Sequence, residues 1–342
     1  MKELILVTGG TGYIGSHTVV ELIKEGFDVV IIDNLSNSTT ESLDGIEQIT
    51  GIRPDFEQFD LLDLQRLEQF FASRPSLKAI IHFAASKAVG ESVEKPLLYY
   101  RNNLNSLINL LHCMVVHEVS PIVFSSSCTI YGQPRELPVT EQAPILPAES
   151  PYGNTKQICE EILADSISAF KVLKAISLRY FNPIGAHPSA LIGELPRGVP
   201  NNLVPYVTQT AAGVLPELKI YGNDYDTPDG SAIRDYINVV DLARAHVTAI
   251  RRLIAGKNSE PLEYFNLGTG KGTSVLELVQ TFEQVTGVKV NHRIVGRRAG
   301  DIEKVWADTT KANETLGWKA IHSLDETLLS AWNWEKRLRD IK

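Results

Sequence analysis

Basic excess, paired cysteines and long apolar runs are all missing from this 342-residue chain. The net charge is −8 and the pI near 5.6, which speaks against a surface made for nucleic acid or anionic membrane. The three cysteines, Cys113, Cys128 and Cys159, are scattered and odd in number. They form no disulfide framework or metal spacing and suit a reducing cytoplasm. No apolar stretch approaches the roughly 20 residues that cross a bilayer, and the N-terminus enters a strand with no signal-peptide pattern. His17 and His82 read as satisfied structural histidines, and no metal is expected. Internal repeats, low-complexity segments and linkers are absent too. What remains, 43% hydrophobic and 22% charged, is the composition of an ordinary globular enzyme or binding protein.

The first half alternates short apolar runs with helical stretches. Leu4–Thr8, Val29–Ile32, Ala79–Phe83, Ile122–Ser126 and Ala175–Leu178 read as strands, with a helix over Gly12–Glu25. That alternation predicts an α/β fold, a Rossmann-type doubly wound parallel sheet covered on both faces. Beyond about Tyr180 the chain loosens into loops rich in Gly, Pro and Asn. Loops this long inside a compact protein are usually functional. Helices are expected over Leu203–Ala212, from about Val240, over Ser274–Val285 and over Thr327–Leu338, with Asp224–Ser231 a surface loop. The expected division is a dinucleotide-binding domain over 1–180 and, over 181–342, a smaller mixed α/β lobe that binds substrate. Some strands and helices of the second part are expected to return to the first.

Gly9, Gly12 and Gly15 lie between the first strand and the first helix. Glycine there permits positive φ and close approach of a pyrophosphate to the backbone. The helix start offers unpaired N–H groups and the positive end of its dipole. The spacing departs from the general G-x-G-x-x-G fingerprint, but Asp33 follows about 20 residues on, at the end of the next strand. A carboxylate there accepts bonds from ribose hydroxyls and repels a 2′-phosphate. No arginine lies within Asp33–Thr40, so NAD is expected rather than NADP.

Tyr152 and Lys156 stand four residues apart, one turn along one face of a helix. Ser150 suits its N-cap and Pro151 its first position. Bringing a phenol from about 10 to near neutrality takes about 4 kcal/mol of extra phenolate stabilisation. An ammonium one turn away, joined by a nicotinamide cation, can supply that. Ser127 ends the strand that begins at Ile122, where a parallel sheet presents residues to its ligand crevice.

Gly9-x-x-Gly12-x-x-Gly15 with Tyr152-x-x-x-Lys156 resembles the extended short-chain dehydrogenase/reductase superfamily. Within it, the chain resembles the UDP-glucose 4-epimerase family at Gly12-Tyr13-Ile14-Gly15-Ser16-His17, Lys87-Ala88-Val89-Gly90-Glu91-Ser92 and Ser125-Ser126-Ser127. The likeness continues through Arg179-Tyr180-Phe181-Asn182-Pro183, Pro200-Asn201-Asn202-Leu203, Gly222-Asn223-Asp224-Tyr225, Arg234-Asp235-Tyr236 and Asn266-Leu267-Gly268. It implies that Tyr152 is the catalytic base, Lys156 its electrostatic partner and Ser127 the proton relay to the sugar 4-OH. It also implies that Gly9, Gly12, Tyr13, Ile14 and Gly15 hold the NAD pyrophosphate. Asp33, Asn34, Leu35, Ser36, Asn37 and Ser38 would hold the adenosine side, and Asp60 and Leu61 the adenine. Phe83, Ala84, Ala85 and Lys87 would line the middle of the cofactor, with Asn102 and Phe181 also facing it. Lys87, Asn182, Asn202, Leu203, Tyr221, Arg234, Arg298 and Asp301 would contact the UDP-sugar, the arginines through forked bonds to diphosphate.

The same resemblance implies a UDP-hexose whose C4 is oxidised to a ketone and reduced on its other face. Val305 stands where relatives carry tyrosine or a smaller residue, so it bears on whether an N-acetylated sugar is admitted. The family also implies a homodimer, paired through Tyr99–Val115 and Pro151–Phe170. Two rivals are a nucleotide-sugar dehydratase and a non-catalytic NAD-binding regulator. A dehydratase usually carries Asp-Glu after the catalytic hydroxyl, where this chain has Cys128-Thr129. A regulator has no need of Tyr152, Lys156 and Ser127 together. A nucleophilic Cys128 is needed by no step.

Overall fold

A computed structural model describes residues 2–297 and 302–341. β1 (Leu4–Thr8) runs into α1 (Tyr13–Lys24), and β2 (Asp28–Asp33) into α2 (Glu41–Thr50). β3 (Asp55–Gln58), α3 (Leu64–Ser73), β4 (Leu77–His82), α4 (Val89–Glu94) and α5 (Pro96–Val116) continue the alternation. β5 (Ile122–Ser127), α6 (Pro151–Ala169) and β6 (Ala175–Tyr180) complete it. The lobe adds β7 (Asn182–Ile184), α7 (Leu203–Ala211), β8 (Leu218–Tyr221), β9 (Ile233–Arg234) and β10 (Tyr236–Asn238). Then come α8 (Val239–Ile254), β11 (Leu262–Leu267), β12 (Thr273–Ser274), α9 (Val275–Thr286), β13 (His292–Val295) and α10 (Leu324–Leu338).

Among the described residues, seven strands form one parallel sheet in the order β11-β6-β5-β4-β1-β2-β3. The Rossmann-type fold expected from the alternation is therefore present. Every residue of β5 and β6 is buried, which is why both read as nearly unbroken apolar or small runs: helices cover both faces. One apolar layer packs α1, α2 and α8 on one face; the other packs α3, α5 and α6 opposite. Connecting successive parallel strands brings their carboxyl ends, and the loops that follow, to one edge.

Two elements beyond residue 181 belong to this sheet layer. β11 pairs with β6 as an edge strand, and α8 packs along α1. The lobe proper is knit by short two-stranded pairings, β10 with β7, β12 with β9 and β13 with β8, around a third apolar cluster that includes Val207, Phe282 and Trp332. The 224–231 segment is a loop, yet it is pinned inward: Tyr225 and Ser231 are buried, and Asp229 Oδ1 accepts from Ser231 N at 2.9 Å.

Candidate active site

The phosphate loop is built by close approach. Gly9 adopts φ +71°, and a Cβ there would stand 2.8 Å from the Ala84 backbone nitrogen. At Gly15 a Cβ would fall 2.2 Å from the Gly9 carbonyl oxygen. Gly12 is the N-cap of α1 and provides no side-chain cap, so the first-turn N–H groups face outward with the positive dipole end. These features fit a dinucleotide pyrophosphate. Ile14 packs into the core layer behind the loop. Tyr13 turns its phenol across to the lobe and donates to the Gly185 carbonyl at 2.6 Å.

Asp33, at the end of β2, folds the next loop around its carboxylate. Oδ2 accepts from Thr11 N at 3.3 Å, and Oδ1 accepts from Leu35 N at 2.9 Å and Ser38 Oγ at 3.1 Å. Asn34 Nδ2 donates to Asp60 Oδ2 at 2.9 Å, and its Oδ1 accepts from Ser36 N at 2.9 Å. Asn109 Nδ2 donates to the Leu61 carbonyl at 2.9 Å. The expected adenosine residues Asp33, Leu35 and Ser38 are thus bonded together, as are Asn34, Ser36 and Asp60, with Asn37 in the same loop. On the other side of β1, the Phe83–Lys87 loop is tied to α5: Ser86 N donates to Asn103 Oδ1 at 2.8 Å, and Asn102 Nδ2 to Ser86 Oγ at 3.2 Å. Ala84 backs Gly9, and Ala85 lies beside it in the chain.

The residues expected to be catalytic meet where β5 gives way to α6. Ser150 caps α6 by accepting from Gly153 N at 3.1 Å, and Pro151 takes the first turn, as their order predicts. Ser127 is 8% exposed and its Oγ accepts from Thr129 N at 3.2 Å. Lys156 is 4% exposed; its ammonium donates to the Ser125 carbonyl at 2.6 Å and sits 4.8 Å from the Phe124 ring centre. Burial lowers Lys156 to about 8, with Cys159 and Glu160 pulling the other way. Burial also pushes the Tyr152 phenol well above its ordinary value; Tyr180 adds to this, and a hydrogen bond with Ser127 opposes it. In the protein alone desolvation outweighs the Ser127 hydrogen bond, and the phenol is held above its ordinary value.

Behind this centre lies a buried ion pair that sequence reading missed. Glu160 Oε1 accepts from Ser126 Oγ and Ser177 Oγ, both at 2.7 Å, and from Arg179 Nε at 3.1 Å. Arg179 Nη2 donates to Oε2 at 2.7 Å, and Nη1 to Tyr131 Oη at 3.0 Å. Glu160 stands one turn beyond Lys156, so the i, i+4 spacing was a usable signal. Its partner on β6 was not visible in one dimension.

The lobe closes over the crevice. Lys87 Nζ and Asn202 Nδ2 both donate to Glu194 Oε1, at 3.4 and 2.5 Å. Glu194 was also missed, because nothing in its local sequence marks it. Asn182 donates its backbone N–H to the Asp235 carbonyl at 2.9 Å, and Leu203 opens α7. Arg234 ends β9, with Nη1 donating to the Ile233 carbonyl at 2.8 Å, and its charge reaches Cys128 beside Ser127. Tyr221 ends β8 paired with Val295, 41% exposed, beside the segment that leads toward Arg298. Arg298 and Asp301 lie outside the described residues. Val305 is 4% exposed in a cluster with Phe181, Tyr131 and Cys128.

The bland readings also have geometry. Burial pushes the Cys128 thiol up to about 12, the wrong direction for a nucleophile. His17 and His82 are both lowered to about 3 by burial; His82 Nδ1 meets Thr8 Oγ1 and His17 Nδ1 meets the Tyr13 carbonyl, each at 2.7 Å. His17 Nε2, however, is buried without a hydrogen-bond partner among the described residues, so His17 is only half satisfied. Among the described residues no group of three His, Cys, Asp or Glu could hold a metal ion, and no helix is long and apolar enough to cross a membrane.

Residues 6–330 match the family model described as GDP-mannose 4,6 dehydratase. A UDP-glucose 4-epimerase of Cyamopsis tetragonoloba is 51% identical over 98% of this chain and 96% of its own. A UDP-glucose 4-epimerase of Stenotrophomonas maltophila, solved with NAD and formylated UDP-arabinopyranose, superposes with a TM-score of 0.95. It is 47% identical over 99% of this chain and all of its own. A UDP-glucose 4-epimerase of Bifidobacterium longum, solved with NAD+ and UDP, superposes at 0.94 with 46% identity over the same shares.

Proposed function

We infer, from the premise that this chain belongs to the UDP-glucose 4-epimerase family of the extended short-chain dehydrogenases/reductases, that it interconverts UDP-glucose and UDP-galactose. NAD, when bound, supplies a hydride acceptor and a positive charge beside Tyr152. Tyr152 takes the 4-OH proton through Ser127, and Lys156 stabilises the phenolate, leaving a 4-keto sugar. After the hexose has turned its other face to the site, Tyr152 returns the proton through Ser127, and the glycine loop holds the cofactor that supplies the hydride. Such a site must grip UDP and leave the hexose free to rotate. Asn182, Asn202, Tyr221 and Arg234, with Leu203, Arg298 and Asp301, are assigned to the nucleotide, and Ser127 and Tyr152 to the sugar.

The observation that carries this reading is Ser127, Tyr152 and Lys156 converging at one strand end and helix start beside a glycine cradle. Cys128-Thr129 after Ser127 leaves no acidic pair for eliminating water, which disfavours a dehydratase. Val305 is intermediate in size and packs against Phe181's cluster, so we extend the proposal to partial acceptance of UDP-N-acetylglucosamine. Exposed apolar side chains on α5, such as Leu97, Ile108 and Val116, support a homodimer paired through α5 and α6. Free thiols at all three cysteines support a cytoplasmic site of action. Purified protein given UDP-galactose without added cofactor should form UDP-glucose, and should turn over UDP-N-acetylgalactosamine more slowly. A 6-deoxy-4-keto product, or none, would overturn the reading.

A further inference from the structure

We propose that Arg197 is a latch by which the substrate lobe keeps NAD from leaving between the two halves of the reaction. The inference rests on the reading that Asp33–Ser38 receives the adenosine side of NAD. That loop is a demanding piece of backbone: Leu35, which is not glycine, holds φ +58°, a region that few side chains adopt. Within the loop, Asp33 draws Leu35 and Ser38 inward, which leaves the carbonyls of Leu35, Ser36 and Ser38 turned outward.

One guanidinium meets all three. Arg197 Nη1 donates to Ser36 O at 2.9 Å, and Nη2 donates to Leu35 O at 3.0 Å and Ser38 O at 2.5 Å. These bonds bridge about 160 residues of sequence, from the lobe to the turn after β2. Only arginine offers a planar fork of donors that can serve convergent oxygens at once. The bonds are charge-assisted and stronger than neutral ones.

The other end of the same segment is also anchored. Glu194, three residues before Arg197, accepts from Lys87 Nζ and Asn202 Nδ2. Its carbonyl accepts from Trp334 Nε1 at 2.9 Å. A single stretch, 194–202, therefore spans from the adenosine loop to Lys87 in the middle of the cofactor groove and to Asn202 on the nucleotide side of the substrate. Closing the lobe on a UDP-sugar and closing the cofactor loop become one movement. The reaction needs that linkage, since cofactor lost at the ketone stage strands the sugar oxidised. An arginine beside this loop could instead read a 2′-phosphate, but here Nη1 and Nη2 face backbone oxygens and Asp33 stays at the ribose position.

The test uses holoenzyme as purified. Wild type, Arg197→Ala and Arg197→Lys are diluted into an enzyme that destroys free NAD, and bound NAD is followed over time. Release should be about tenfold faster in Arg197→Ala and intermediate in Arg197→Lys, as expected for losing charge-assisted bonds. Turnover of Arg197→Ala should decay on dilution and recover when NAD is added back, with the thermal midpoint of NAD-saturated protein unmoved. Equal release rates would overturn the latch, as would a turnover defect that added NAD does not repair. Tight NADP binding by wild type that the alanine variant loses would overturn it in favour of phosphate reading. Slow NAD release from a wild type without epimerase activity would sink the assigned reaction and leave the latch standing.

Discussion

On the proposed reading Tyr152 is the base, and burial holds its phenol above the ordinary value. Burial raises its pKa while Ser127 lowers it, so on that reading the positive charge of bound NAD would favour the phenolate. Replacing Tyr152 by Phe removes the proton acceptor and keeps the ring's packing. Turnover should fall by about 10³-fold or more, in the range of lost acid–base catalysis, while NAD still co-purifies; near-normal turnover would contradict the role. Lys156 sets the alkaline limit. Its ammonium, lowered to about 8, is present below that pH and lost as pH rises through it. The pH profile of kcat/KM should therefore fall above about pH 8, and a flat profile to pH 10 would contradict this. The sign for stability is opposite. The folded pKa lies below the unfolded value of about 10.4, so folding penalises the charged form by about 3 kcal/mol at neutral pH, a cost relieved above pH 8.

At the scale of elements, the sequence was most legible where local rules govern. The Ser150-Pro151 start of α6 and the buried run of β5 follow from capping chemistry and from two-sided burial. The glycine loop followed from its place between strand and helix. Gly15→Ala should yield protein purified without NAD, because its Cβ would sit 2.2 Å from the Gly9 carbonyl oxygen; cofactor content measured on the purified variant checks it. The Glu160–Arg179 pair was not legible, because it joins α6 to β6 through the sheet and only the fold makes it a pair. Glu160→Ala leaves a buried guanidinium without its carboxylate and should cost about 3–5 kcal/mol. Glu160→Gln, which keeps acceptor and volume, should cost less. Denaturant midpoints of the two variants decide, and equal small losses would show the pair to be unimportant.

For the whole molecule, regular alternation ends near residue 180, and some strands and helices were expected to return to the sheet from beyond it. β11 lies at the sheet edge and α8 on its face, and periodicity, which is local, could not say which elements these would be. The same holds for Arg197: no arginine lies within Asp33–Thr40 in sequence, yet the fold delivers one to that loop from the lobe. What the family resemblance supplied was an expected catalytic set, because its residues carry chemistry that few other patterns need. The central claim is that one hydrogen leaves C4 of the sugar and comes back to the same carbon within a closed site. It is tested by converting UDP-galactose deuterated at C4 in ordinary water and reading the label in the UDP-glucose formed. Full retention of deuterium at C4 is the predicted result; loss of the label to solvent would contradict it.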